Sequence, residues 1–293
     1  MHLSGKRFES RIPSHISVIP SNSVSSSICG TSYFCYDDLV DEEQLTINEN
    51  RPIIRIGNKV HRPTHFWTPA VHDLLHYLTS TDFPYSPRVF DADSEGREVL
   101  SYVEGESGKA GWYKILDDEG LGKLAKLLRS YHDAVAGYKP TEGIEWSTGA
   151  TTMEPGEIIC HGDFGPWNIV WQGNEPISII DWDLVHPAPA EEDILYALEY
   201  AAPFRDDKAA LEWHHFPAVP DREHRVEVFL EAYGHPPIAD LATKVAAMQR
   251  SVGKREAYLA SRGIQPQVEW VANGDLEEVE KRACWTESHS QLF

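Results

Sequence analysis

Between residues 158 and 183 the chain reads IICHGDFGPWNIVWQGNEPISIIDWD, with oxygen-bearing side chains set between short apolar runs. Ile158-Ile159-Cys160 ends at His161-Gly162-Asp163, and Ile169-Val170-Trp171 and Ile177-Ser178-Ile179-Ile180 flank the segment Gln172 to Pro176. Short apolar runs bounded by Gly, Asn and Pro read as strands, and two of them around such a segment read as a hairpin. Asn168 then stands just before one strand and Asp181 just after the other, so antiparallel pairing brings the two together. Asp163 lies on the connecting loop, five residues before Asn168, and overhangs the same spot. A hard divalent cation such as Mg²⁺ takes oxygen ligands, usually one or two carboxylates with substrate phosphates completing the shell. Asn168 and Asp181 offer an amide oxygen and a carboxylate, which leaves Asp163 to orient a nucleophile. A polar turn in a helical protein, with Asp and Asn as turn formers, accounts for a single Asp but not for the whole set.

The rest of the chain predicts a frame for this segment. Pro52 to Ile56, Gly57-Asn58 and Lys59 to Arg62 form a strand, turn and strand. Ala70 to Leu78, after Pro69, carries Val71, Leu74, Leu75 and Leu78 on one helical face. Arg88-Val89-Phe90 and Glu98 to Val103 are extended, and Gly105 is a natural break. Beyond it the pattern turns helical, over Leu121–Tyr138, Asp193–Tyr200, Arg222–Tyr233, Ile238–Ala260 and Leu276–Cys284, with Gly234 placed to end the third of these. The expected class is α+β, a small β-rich lobe joined to a larger, mostly helical one, with ligands in the cleft between them.

Bulk properties exclude several classes. The 293 residues carry 26 basic and 46 acidic side chains, a formal net charge of −20. No basic run marks a nucleic-acid binder, and so acidic a surface repels phosphate backbones and anionic membranes. It would attract cationic small molecules, although solubility alone explains it as well. No apolar stretch is long enough to span a bilayer. Met1 to Ser27 is Ser-rich without the apolar core of a secretory signal. Residues 1–30 are therefore expected to form a disordered extension and the protein to be cytoplasmic. Cys29, Cys35, Cys160 and Cys284 lack metal-ligand spacing and read as isolated thiols, with a Cys29–Cys35 pair left open. Neither a monomer nor a homodimer is favoured.

The motif H-x-D-x-x-x-x-N over His161 to Asn168, followed thirteen residues later by the Asp that opens Asp181-Trp182-Asp183, resembles a known family. It is similar to the catalytic and metal-binding loops of the aminoglycoside phosphotransferase-like enzymes, distant relatives of protein kinases. Leu127-Leu128-Arg129-Ser130-Tyr131-His132-Asp133-Ala134, the run from Ile180 through Asp183 to Asp193, Arg55 to Pro63 and Trp67 to His72 extend the likeness over residues 45–285. The resemblance implies a protein-kinase-like fold with a nucleotide-binding lobe at 31–104 and a catalytic and acceptor-binding lobe at 105–293. It implies transfer of the γ-phosphoryl group of ATP to a small-molecule hydroxyl, with Asp163 as base and Asn168 and Asp181 holding Mg²⁺. His161 would brace the loop, Asp183 would serve as a supporting or second-metal residue or a loop anchor, and Asp193 would tie the next helix to the catalytic loop.

The small lobe departs from the family pattern. Thr46 to Arg51, where a glycine-rich phosphate loop is expected, has no glycine. Arg62 stands where a strand lysine would clamp phosphates, with Lys59 as the fallback, and His72 or Asp73 takes the place of its helical Glu partner. Backbone groups of Ser101 to Val103 would meet the nucleobase, with guanine an open alternative to adenine. Glu191, Glu192, Glu199, Asp206 and Asp207 would offer an acidic acceptor surface suited to cationic amino-sugars, or simply a solvated face. An antibiotic such as an aminoglycoside is the leading acceptor. A metabolic kinase for choline, homoserine, a sugar or a nucleoside, or a weakly active pseudokinase, is the alternative. A metal-dependent hydrolase would need clustered histidines, which the sequence lacks.

Overall fold

The structure, a computed structural model, describes residues 42–45 and 52–293. The N-terminal extension, Cys29, Cys35 and the glycine-free segment 46–51 lie outside the described residues.

The first lobe is a five-stranded antiparallel sheet of order β1-β2-β3-β5-β4. Its strands are β1 (Glu42–Gln44), β2 (Ile54–Ile56), β3 (Lys59–Arg62), β4 (Val89–Phe90) and β5 (Glu98–Ser101). Gly57, at φ 60°, supplies the left-handed backbone that closes the β2–β3 hairpin. In β3 and β5, Lys59 pairs with Ser101 and Arg62 with Glu98. Helix α1 (Thr68–Ser80) buries Ala70, Val71, Leu74, Leu75 and Leu78 completely. Each fully buried Leu is worth roughly 1.5–3 kcal/mol of hydrophobic stabilisation. The chain leaves this lobe through Gly105, whose missing side chain is required: a Cβ there would lie 2.6 Å from the Trp171 carbonyl oxygen.

The second lobe is mostly helical. Helix α2 (Lys109–Lys114) precedes α3 (Asp118–Val135), capped by the Asp117 carboxylate, which accepts the Gly120 N–H at 2.8 Å. The apolar face of α3 (Leu121, Leu124, Leu128, Tyr131) is buried, and the Tyr131 hydroxyl donates to the Ile159 carbonyl at 2.8 Å. That contact fixes strand β6 (Ile158–Cys160) against the helix. The hairpin of β7 (Ile169–Gln172) and β8 (Glu175–Ile179) follows, then β9 (His186–Ala188) and α4 (Glu191–Ala201). Helices α5 (Asp207–Glu212), α6 (Arg222–Tyr233), α7 (Leu241–Ser261), α8 (Gln267–Ala272) and α9 (Asp275–Ser288) complete the lobe. Gly234, at φ 83°, ends α6. Cys160 and Cys284 are free thiols, and no described helix is long and apolar enough to cross a membrane.

The predicted elements differ in particulars. β9 falls in a proline-containing run that carries no strand signal in the sequence. It pairs antiparallel with β6, Pro187 opposite Ile159, in a two-stranded sheet where proline is tolerated. Six-residue helices such as α2, α5 and α8 are too short to show an apolar stripe. β8 begins at Glu175 and takes in Pro176, and a register shift between Val170 and Trp171 accommodates it.

Candidate active site

The hairpin places the polar residues. Ile169 pairs with Ile179, and the Ile180 N–H donates to the Asn168 carbonyl at 2.9 Å. The chain then turns sharply at Asp181, whose φ of 59° and ψ of 64° are left-handed, a conformation that Asp tolerates better than most residues. Asn168 ends the turn Pro166–Asn168, and its Nδ2 donates at 2.9 Å to both the carbonyl and Oδ2 of Asp163. The amide is thereby oriented, and its Oδ1 remains an acceptor. Asp163, Asp181 and Asp183 line one cleft.

Asp163 is held by a second donor that the sequence reading missed: the Tyr196 hydroxyl on α4 donates to its Oδ1. Burial, and then the nearby Asp181 carboxylate, push the Asp163 pKa up to about 7, against the opposing hydrogen bond from Tyr196. Burial and the Asp163 charge likewise push the Tyr196 phenol well up, so it remains a donor.

The loop carrying Asp163 is clamped from below. Asp193, fully buried, accepts the N–H groups of His161 (2.6 Å) and Gly162 (2.9 Å) and bonds His132 Nε2 on α3 at 3.2 Å. Burial would raise its carboxyl, but the His132 hydrogen bond and charge and the Gly162 N–H hold it below the ordinary range. Gly162 has φ +74°, and a Cβ there would lie 2.3 Å from the Leu184 carbonyl oxygen, so no other residue fits. Arg255 on α7, also unanticipated, donates to the Gly162 carbonyl at 2.8 Å. His161 is buried and its pKa is pushed down by that burial. The neutral ring donates through Nε2 to the Ile180 carbonyl at 3.1 Å and accepts the Asp163 N–H at Nδ1, at 3.3 Å.

On the opposite side, Arg62 is buried and spans the lobes. Its Nε donates to Glu98, its Nη2 donates to Asp183 at 2.9 Å, and its Nη1 is 3.6 Å from Asp181. Burial would lower its pKa, but Asp183, Glu98 and Asp181 raise it, so the charge is permanent. His72 meets the other oxygen of Glu98 at 2.8 Å. The acidic partner of Arg62 is therefore Glu98 on β5, directly across the strand pair, rather than a residue of α1. Asp73 is turned away, accepting from Tyr138 and Thr141. Lys59, three residues before Arg62, projects from the other face of β3 and lies over the Phe90 ring at 4.5 Å. At the lobe junction, the Ser101 N–H is bonded to Arg88 and the Tyr102 N–H to Asn58, both at 2.8 Å. The Val103 N–H is not engaged in either bond.

The acidic stretch falls elsewhere than expected. Glu191 pairs with Lys244 at 2.8 Å, Glu192 with His186 at 2.9 Å, and Glu199 is buried between Arg205 and Arg282. Asp206 caps α5 and Asp207 pairs with Arg222. None of the five is among the residues lining the cleft: Glu191, Glu192 and Glu199 face Lys244, His186 and the two arginines, and Asp206 and Asp207 are exposed at the start of α5. The cleft, about 930 Å³ including its open mouth, is walled by Trp67, Trp167, Tyr200, Leu259, Ile264 and Trp270, with Arg255 and Glu256 among them.

The donor set suits a magnesium–polyphosphate group. Among the described residues no three His, Cys, Asp or Glu side chains are arranged to hold a metal by themselves. The amide oxygen of Asn168 and the carboxylate of Asp181 are instead the donor types that a partial Mg²⁺ shell uses when phosphates supply the remainder.

The sequence profile of the phosphotransferase enzyme family matches residues 145–223, which contain Asp163, Asn168, Asp181 and Asp193. A trifolitoxin immunity protein from Rhizobium leguminosarum bv. trifolii is 34% identical over 198 residues, covering 66% of this chain and 74% of that protein. Among solved structures, the GDP and kanamycin complex of the aminoglycoside phosphotransferase APH(2″)-IIIa superposes with a TM-score of 0.55, at 15% identity, over 85% of this chain and 95% of its own. A choline/ethanolamine kinase family protein from Mesorhizobium loti gives a TM-score of 0.50 at 13% identity, over 86% and 94%. Sequence, two-lobed architecture and relatives agree: the chain belongs to the aminoglycoside phosphotransferase-like family of phosphotransferase enzymes and has its protein-kinase-like fold.

Proposed function

We propose that this chain transfers the γ-phosphoryl group of ATP to a hydroxyl of a small molecule, with residues 31–104 serving the nucleotide and 105–293 the catalytic loop and acceptor. The observation that carries this reading is the convergence of Asp163 and Asp181 on one cleft, with Asn168 bonded to Asp163 behind it and Asp163 held at both oxygens. Phosphoryl transfer depends on alignment and charge stabilisation more than on covalent chemistry. In this reading Asp163 orients the acceptor alcohol and takes its proton as the oxygen bonds to phosphorus. Tyr196 and Asn168 fix the carboxylate, while Asp193, His161 and Arg255 hold the loop that carries it. Asn168 and Asp181 would hold Mg²⁺, which when bound neutralises charge on the nucleotide phosphates. Arg62, steadied by Glu98 and His72, faces those phosphates. Asp183 anchors Arg62, and the Val103 backbone is the group for the base edge.

The name of the curated relative supports a protective role against an antibacterial compound, and an antibiotic acceptor follows from that. ATP is the proposed donor. The GDP complex of one structural relative makes GTP the alternative to be tested. Purified protein incubated with ATP or GTP and Mg²⁺ is screened against candidate acceptors by release of the nucleoside diphosphate and by product mass. Turnover that survives unchanged in Asp163→Asn, or nucleotide binding that ignores Mg²⁺ and survives unchanged in Asp181→Ala, would refute the assignment.

A further inference from the structure

We propose that the segment Gly105 to Trp112 is a brace that positions Asn168, with Gly111 as the positioning residue at its tightest contact. The inference rests on the phosphotransferase reading and adds to it an element outside the loops that carry Asp163 and Asp181.

The chain between the lobes reads GESGKAGW, with glycine at 105, 108 and 111. Glycine in a helix interior costs stability relative to alanine, so Gly111, inside α2, calls for a reason. The reason is close approach. The segment runs antiparallel beside the stretch Pro166 to Trp171. Glu106 exchanges two backbone hydrogen bonds with Trp171, both at 2.8 Å, and the Gly108 N–H donates to the Trp167 carbonyl at 2.9 Å. At Gly111 a Cβ would lie 1.8 Å from the Pro166 carbonyl oxygen and 2.6 Å from its carbon. Both are backbone atoms, so no rotamer change relieves the contact.

Helix α2 is held from behind. Trp112 is buried against the rings of Trp167 at 5.3 Å and His214 at 4.8 Å. Arg225 on α6 donates to the carbonyls of Ile115 at 2.6 Å and Leu116 at 3.0 Å, just past the end of α2. On its other side the turn Pro166–Asn168 bears on the site. The Asn168 side chain donates to Asp163, and its carbonyl accepts the N–H of Ile180, the neighbour of Asp181. A methyl group at position 111 therefore pushes the turn toward the two carboxylates by roughly 1 Å, a misplacement that matters where metal and phosphate must align. Groups that orient a metal ligand from behind tune metal affinity in this way.

The same segment leads out of Ser101 to Val103, the stretch proposed for the base edge. One continuous piece of backbone thus sets the distance between the base and the residue proposed to hold the metal on the phosphates.

The test compares ATP binding to the full chain by calorimetry, once with Mg²⁺ and once with EDTA, in the wild type and three variants. Gly111→Ala is expected to weaken binding about tenfold with Mg²⁺ and less than about twofold with EDTA. Hydrogen exchange at the Asn168 N–H of the metal-free variant is expected to accelerate. Val135→Ala, a cavity in the buried far end of α3, reports loss of stability alone: Tm falls, and the ratio of the two affinities stays at the wild-type value. Trp112→Phe keeps the backbone and shortens the ring behind Trp167. It is expected to shift the ratio the same way by about threefold, and it decides the matter if Gly111→Ala does not fold. A wild-type ratio and exchange rate in Gly111→Ala, or a wild-type ratio in Trp112→Phe where the former does not fold, overturns the inference and leaves the phosphotransferase reading standing. So does an equal shift of the ratio in Val135→Ala. Wild-type ATP binding that ignores Mg²⁺ refutes the phosphotransferase reading and the inference with it.

Discussion

Arg62 lies directly opposite Glu98 in the β3–β5 register and donates its Nε–H to that carboxylate, both side chains being buried. The pair sits on adjacent strands of one sheet, so its geometry is set by backbone hydrogen bonds and not by the docking of a helix. Glu98→Gln removes the charge and keeps the shape. Truncating one partner of a buried pair costs about 3–5 kcal/mol; retention of Asp183 and Asp181 as partners lowers this to about 1–2 kcal/mol. Tm is expected to fall by several degrees and ATP affinity by about tenfold, checked by calorimetry and nucleotide titration.

Tyr196→Phe removes a hydrogen bond that favours the ionised form of Asp163. The Asp163 pKa, already about 7, must rise further. The acid limb of the pH–rate profile is expected to move upward, with kcat about three- to tenfold lower at pH 7 and largely restored at pH 9. A uniform loss at all pH values would mean that Tyr196 acts by another route.

Asp163→Asn is expected to lower turnover by about 10²–10⁴-fold and, at neutral pH and above, to stabilise the fold. The wild-type carboxyl has its pKa raised on folding, from an ordinary 3.8 to about 7. Its ionised form is therefore disfavoured in the folded state. That penalty is absent below about pH 4, grows between there and pH 7, and is constant above. A gain of about 1–3 kcal/mol at pH 8, vanishing near pH 4, is expected in denaturant unfolding.

Asp193 has the opposite sign. Its pKa is held below the ordinary range, so its ionised form stabilises the fold above about pH 4, and that contribution is lost as pH falls through the folded value. Asp193→Ala leaves His132 and the N–H groups of His161 and Gly162 without their acceptor. A loss of about 3–5 kcal/mol is expected at pH 7, narrowing below pH 4, with hydrogen exchange at Gly162 accelerated.

Local patterns carried much of this fold into view beforehand. The α1 stripe Val71-Leu74-Leu75-Leu78, the Gly57-Asn58 turn and the α6–Gly234 boundary depend on neighbours in sequence, and each lies where periodicity and turn chemistry put it. The hairpin that unites Asn168 and Asp181 was legible for the same reason. Tyr196, Glu98 and Arg255 were not, because each reaches its partner through tertiary packing: Tyr196 is 33 residues from Asp163, Glu98 is 36 from Arg62, and Arg255 is 93 from Gly162. A cross-strand reading of β3 against β5 would have exposed Glu98. The acidic run around α4 misled because composition records charge but not the direction a helix faces. Glu199 and its two arginine partners are an interior feature that no count of surface charge reveals.

The guanidinium of Arg62 already touches three carboxylates, two of them from the far lobe. A triphosphate reaching the crevice therefore finds a cation in use, and gains it only by displacing or sharing an anion that is covalently part of the protein. In the proposed reading, substrate capture would be an exchange of negative partners at Arg62, with Asp181 the residue that would hold the metal. The same side chain that latches the lobes in the resting protein thus makes the strength of the latch and the affinity for the donor opposing quantities, tuned by one residue.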